Sequence, residues 1–173
     1  MGNVREAVDS GTWSLPQWAD QPPDPDLTGA SFLLISYGDS EAEAVVQQWE
    51  AGLRRTDLDP PVLRFHASAF DRDQLADKLA EARCGVRLMI AGGQYDVLQA
   101  MATARALGLE TGEITRYATA YEDLPLFCPH CQTTSRAYAE VFDWTDCTGC
   151  HRVLTIKPHY SSQRGSFLGV DTR

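Results

Sequence analysis

"GVRLMIAGGQYDVLQAMATARALG", residues 85–108, is the stretch on which the fold turns. Its first part, apolar but for Arg87, reads as the clearest strand of the chain. Gly92 and Gly93 interrupt the run, and a helical period takes over with Val97, Leu98, Met101 and Ala104 on one side. Gly108 is placed to end that helix. Strand, tight turn and amphipathic helix in this order are the repeating step of a parallel α/β sheet.

The same step recurs upstream. "SFLLISYG" (31–38) reads as a strand. "DSEAEAVVQQWEAGLRR" (39–55) reads as a helix that buries Ala42, Val45, Val46, Trp49 and Leu53. Ser40 with Glu43 is a capping-box signal at its start. "PVLRFHA" (61–67) and "DRDQLADKLAEAR" (71–83) repeat the alternation, with Leu75, Leu79 and Ala82 turned inward and a stop near Gly85. "GEITRYAT" (112–119) supplies a fourth strand. Residues 30–120 therefore predict a small three-layer, Rossmann-like α/β domain with a mostly parallel sheet.

In such sheets ligands collect where strands meet helix N-termini. Gly92 and Gly93 stand at such a place and are the candidate positions for a nucleotide or folate. The first strand–helix turn, "SYGDSE", lacks the G-x-G-x-x-G fingerprint and carries Asp39 and Glu41, which would repel a pyrophosphate. The reading preferred here is that the glycines form a tight turn. No catalytic residue is assigned.

Residues 121–173 have a different character. "FCPHCQTTSRAYAEVFDWTDCTGCH" (127–151) holds Cys128, Cys131, Cys147 and Cys150 in two C-x-x-C pairs separated by fifteen residues. That spacing belongs to four-cysteine metal sites. Pro129 and Gly149 suit the two turns, and the β-branched and aromatic residues between the pairs read as strand. "HRVLTIKPH" adds a further strand, giving a zinc ribbon followed by a C-terminal tail. Zn²⁺ held by four thiolates is tetrahedral, redox-inert and closed to substrate. It would stabilise a module too small to fold well alone. Iron in a rubredoxin-like site would instead make the chain an electron carrier. Dithiol chemistry would leave one pair unexplained, and a disulfide framework conflicts with a reducing compartment. Cys84 is expected as a buried small hydrophobe. His130 and His151 are expected at the surface or beside the ligands, and His66 and His159 show no acid–base partner in the sequence.

Charge narrows the function classes. The chain carries −9 overall, and residues 1–127 hold 10 Lys and Arg against 20 Asp and Glu. An acidic body repels phosphates, so no nucleic-acid partner is expected. No run reaches the roughly 20 apolar residues that cross a bilayer, so no membrane partner is expected. The first residues lack signal-peptide order, which predicts a cytoplasmic protein. Residues 1–29, with "QPPDPDLTG", read as a flexible arm. Trp13 and Trp18 in that arm either fold back on the body or dock on a partner subunit.

"FCPHCQTT", "CTGCHRVLTI" and "HYSSQRGSFLGV", in this order, resemble the C-terminal half of the small subunit of bacterial dimethylamine monooxygenase, the DmmA family. The strip "HYSSQRGSFLGV" reads either as a closing strand of the ribbon or as a contact surface for another subunit. "VRLMIAGGQYDVLQAMATARALGLETGEITRY" is similar to that subunit's α/β domain. It also distantly resembles the pyridine-nucleotide half of ferredoxin reductases, although "AGG" replaces their C-G-P turn. The resemblance implies a complex. A ferredoxin-reductase-like subunit with flavin and [2Fe–2S] takes electrons from NADPH. A haem-containing oxygenase subunit activates O₂ and demethylates dimethylamine to methylamine and formaldehyde. This chain is then a non-catalytic third subunit, consistent with the absence from its sequence of a ferredoxin cluster motif or a haem-attachment motif.

Overall fold

The computed structural model describes residues 13–55, 61–82 and 84–172. Four strands, β1 (Ser31–Tyr37), β2 (Val62–Ala67), β3 (Val86–Gly93) and β4 (Ile114–Ala120), form an all-parallel sheet in the order β2-β1-β3-β4. Helix α1 (Ser40–Leu53) covers one face; α2 (Arg72–Glu81) and α3 (Gln94–Ala106) cover the other. Strand alternation sorts the core accordingly. Phe32, Leu34, Met89 and Ala91 meet α1, while Leu33, Ile35, Leu88 and Ile90 meet α2 and α3. This is the three-layer α/β domain expected from the alternation.

The helix starts differ from expectation in one detail. Asp39, not Ser40, caps α1, and its carboxylate accepts from the backbone N–H groups of Glu41 and Ala42. Glu43 is drawn away from the cap by Arg64 and by the Ser36 hydroxyl. Cys84 is exposed rather than buried, because it lies in the turn before β3 begins. Residue 83, the last of the expected second helix, lies outside the described residues.

A second, five-stranded sheet follows, built from β5 (Leu124–Phe127), β6 (Thr134–Ala137), β7 (Trp144–Asp146), β8 (Val153–Ser161) and β9 (Ser166–Asp171) in the order β6-β5-β9-β8-β7. Only the ends of the stretch between the cysteine pairs are strand; residues 138–143 are a loop. The tail strip forms the end of β8, its turn and β9, and the turn seats on α3. There Gly165 has φ +64, and a Cβ would lie 2.5 Å from the Leu98 carbonyl oxygen and 2.8 Å from the Ala102 Cβ. Gln99 Nε2 donates to the Gly165 carbonyl and Arg105 to that of Ser162. The strip is thus used within the chain.

Two carboxylates and one arginine complete the junction. Asp96, in the first turn of α3, accepts from the Phe70 N–H at 2.7 Å and pairs with Arg136 of β6 at 2.6 Å. Arg136 also pairs with Asp123, and its guanidinium lies 4.0 Å from the centre of the Tyr95 ring. Burial works against the Arg136 charge, yet the two carboxylates outweigh it and hold its pKa above the ordinary value.

The described part of the arm, 13–29, lies along this body rather than free of it. Ser14 bridges to His159, and Trp13 packs edge-on to Phe142. Trp18 donates to Gln94, and the Pro23 carbonyl accepts from Trp49. Both tryptophan rings therefore have partners on their own chain; residues 1–12 lie outside the described residues. No described helix is long and apolar enough to cross a membrane. Substituting Gly165→Ala forces a side chain into the α3 backbone and should lower unfolding stability by roughly 2 kcal/mol. A fall in the urea midpoint at unchanged slope is the expected reading.

Candidate metal centre

The four sequence-predicted cysteines stand at the tips of two hairpins. Cys128 and Cys131 join β5 to β6, and Cys147 and Cys150 join β7 to β8. Each tip is built alike. Cys128 N–H donates to the Thr133 carbonyl and Gln132 N–H to the Cys128 carbonyl. Cys147 N–H donates to the Arg152 carbonyl and His151 N–H to the Cys147 carbonyl. The residue after each second cysteine turns left-handed, Gln132 at φ 61 and His151 at φ 58. The sequence reading gave that backbone role to Gly149. Instead, Gly149 makes room: a Cβ there would sit 2.8 Å from Thr133 Oγ1 and 3.1 Å from Cys131 Sγ.

The hairpins bring all four sulfurs within 4.8 Å of one another. Cys128 and Cys150 are 3.7 Å apart, and Cys131 and Cys147 are 3.5 Å apart. A tetrahedron with metal–sulfur bonds of about 2.3 Å has sulfur–sulfur edges of about 3.8 Å, so the donor set fits a tetrahedral ion. These separations are far too long for disulfides.

The protonation energetics point the same way. Hydrogen bonds from the Thr133 hydroxyl, and then from its backbone, pull the Cys131 thiol down to about 6. Cys150 is drawn down by the Arg152 backbone, but burial and the other three sulfurs prevail and push it up to about 12. Such a cluster ionises one sulfur easily and another hardly at all unless a cation joins it. Cys128 and Cys147 are buried, while His130 and His151 are exposed beside the knuckles and are not needed as ligands.

The other candidate positions are arranged against ligand binding. Gly92 lies under Tyr37, where a Cβ would be 2.8 Å from the Tyr37 Cβ. Gly93 faces the carboxylates of Asp96 and Asp123, at 3.5 and 4.0 Å from a Cβ placed on it. The position a phosphate would take at the start of α3 is held by the chain's own carboxylate and the arginine of β6. His66 has partners that its sequence context did not reveal: the Ser36 hydroxyl at 2.9 Å and Glu43 at 3.6 Å. Ser36 is fully buried and its hydroxyl donates to Glu43, so the trio binds α1 to β2 and presents no nucleophile.

Fold and site together define a parallel α/β domain joined to a four-cysteine metal ribbon. Residues 125–170 match the family model described as dimethylamine monooxygenase subunit DmmA-like, C-terminal domain. The chain is also 34% identical over 96 residues to the heme-dependent oxidative N-demethylase delta subunit of Ectopseudomonas mendocina (strain ymp). That match covers 56% of this chain and 54% of the relative, so the chain spans about half the relative's length. The ribbon of this chain is thus similar to the DmmA-like C-terminal domain, the resemblance that the motifs around its cysteines carry. No solved structure matches the chain.

A side chain at Gly149 would press on both knuckles at once. Gly149→Val should weaken retention of an ion held by the four sulfurs by about tenfold or more, as competition with a chromophoric chelator would measure.

Proposed function

We propose that this chain is a non-catalytic subunit of a multicomponent amine oxygenase, holding one structural Zn²⁺ on Cys128, Cys131, Cys147 and Cys150. The observation that carries this reading is a donor set of four sulfurs, at tetrahedral spacing, inside a domain whose family model is named for a dimethylamine monooxygenase subunit. Four thiolates fill the coordination sphere, so the ion supplies folding energy and no site for substrate. The partners are a haem-containing oxygenase subunit and a ferredoxin-reductase-like subunit with flavin and [2Fe–2S], fed by NADPH. The reaction of the assembled complex is oxidative N-demethylation of dimethylamine in the cytoplasm. The name of the delta-subunit relative supports a haem partner, since it describes a heme-dependent oxidative N-demethylase.

A partner surface is available on the ribbon. The loop after β6 and the start of β7 expose Tyr138 (77%), Phe142 (49%) and Trp144 (73%). Large exposed aromatic rings of this kind mark protein contacts. The rival reading, iron in the same tetrahedron, predicts a coloured protein.

Three outcomes follow. Freshly isolated chain should be colourless and carry about one zinc, with one readily titrated thiol, the exposed Cys84, and four more after chelation and denaturation. Iron in the site, or five freely reactive thiols, would remove the structural-zinc reading. Complex reconstituted without this chain should lose NADPH-driven dimethylamine oxidation; full activity in its absence would refute the subunit role. Trp144→Ala should weaken co-purification of the partners by about tenfold while leaving the zinc content unchanged.

A further inference from the structure

Where the arm, α3, β4 and the end of β8 meet, they enclose a cleft of about 390 Å³. Its floor is apolar, formed by Leu98 and Met101 of α3 with Pro16 of the arm. Its polar groups are Arg105 of α3, Arg116 of β4 and Tyr160 of β8. None of these elements supplies a metal ligand, so the cleft stands apart from the cysteine cluster.

The two arginines are oriented but not neutralised. Arg105 Nη1 donates to the Ser162 carbonyl at 2.7 Å, and Arg116 Nη2 donates to the Gln17 carbonyl at 3.2 Å. A carbonyl steers a guanidinium without cancelling its charge. Arg64, Arg87, Arg136 and Arg152 each pair with a carboxylate. Arg105 and Arg116, like Arg55, Arg72 and Arg164, have no such partner among the described residues, but only these two line this cleft, in a chain with a net charge of −9. The nearby Glu113 is already engaged by Arg87 and the Glu110 N–H. The Tyr160 hydroxyl lies beside Arg105 without a regular hydrogen bond to it; burial raises its pKa, and the charges of Arg105 and Arg116 pull the other way. A phenolic hydroxyl between two guanidiniums that carry no carboxylate forms an oxyanion receptor.

We propose that this cleft binds a small organic carboxylate. Its head lies between Arg105 and Arg116 and accepts from the Tyr160 hydroxyl, while its apolar body rests on Leu98, Met101 and Pro16. The monoanion is favoured over a phosphate dianion because Arg105 lies in the last turn of α3, the negative end of that helix's dipole. A purely inorganic anion would leave the apolar floor uncovered. The volume suits a ligand of modest size.

The full chain, zinc-loaded as isolated, is titrated by calorimetry with benzoate, with benzamide as the neutral isostere and with inorganic phosphate. Saturable binding of benzoate in the low-millimolar range or tighter, at least about tenfold stronger than benzamide or phosphate, is expected. Arg105→Gln and Arg116→Gln should each weaken it by about tenfold or more. Tyr160→Phe, which keeps the packed ring and removes only the hydroxyl, should lower affinity without lowering the thermal midpoint. Absence of saturable benzoate binding overturns the proposal, as does equal binding of benzamide or phosphate. Affinity unchanged in Arg105→Gln, Arg116→Gln and Tyr160→Phe overturns it too. Metal content is read in every sample, so loss of the ribbon is distinguished from loss of this site.

Discussion

The Asp96 carboxylate, buried at the positive end of α3, is the constraint around which the two sheets are arranged. An isolated buried carboxylate would be strongly unfavourable. Here the helix dipole, the Phe70 N–H and the Arg136 guanidinium all meet it, and Arg136 comes from the second sheet. Asp123, on the linker between the sheets, takes the other side of the same guanidinium. Neither sheet can shift without uncovering a charge. The same contact explains why a parallel α/β fold with glycines at a strand–helix junction presents no phosphate cradle: an internal anion already stands at that helix terminus.

Around this junction the second sheet uses its length economically. One edge of its long β8–β9 hairpin turns on Gly165 directly against the backbone of α3, so the Leu98 side chain enters the core of the ribbon itself. At the far end the two knuckles converge. Their left-handed residues, Gln132 and His151, are unusual for non-glycine side chains and cost about 1–2 kcal/mol each. What they achieve is alignment of paired thiols across two hairpins. The sulfur cluster therefore depends on β-sheet register, and an ion there would tie the hairpin tips as the Asp96–Arg136 pair ties their base.

The described groups divide into those engaged within the chain and those left open. Its sulfur donors are gathered into one tetrahedral cluster, and the Ser36 hydroxyl is buried between Glu43 and His66, whose side chains reach the surface. The remaining unspent groups face outward or into the cleft beside α3: exposed aromatic rings on the ribbon, and guanidiniums without carboxylates between the arm and the sheet. Groups of these kinds are suited to recognition.

The sequence by itself determined the order of elements and pointed to the four cysteines that the fold brings together. Period-two and period-3.6 patterns are local, so β1 to β4 and the inward faces of α1 and α3 were legible, and C-x-x-C spacing binds its own residues into a knuckle whatever surrounds it. Only the tertiary structure decided what depended on distant residues. Asp39 took the cap of α1 because Glu43 was claimed by Arg64, and Cys84 became exposed because its turn precedes the sheet. The arm's tryptophans found Gln94 and Phe142 more than 70 residues away in sequence. The Arg105–Arg116–Tyr160 cleft had no local signature, since it exists only where α3 and β4 meet the distant β8 and the arm. Charge compensation acts through space, and sequence order does not reveal which arginines will be left without a carboxylate.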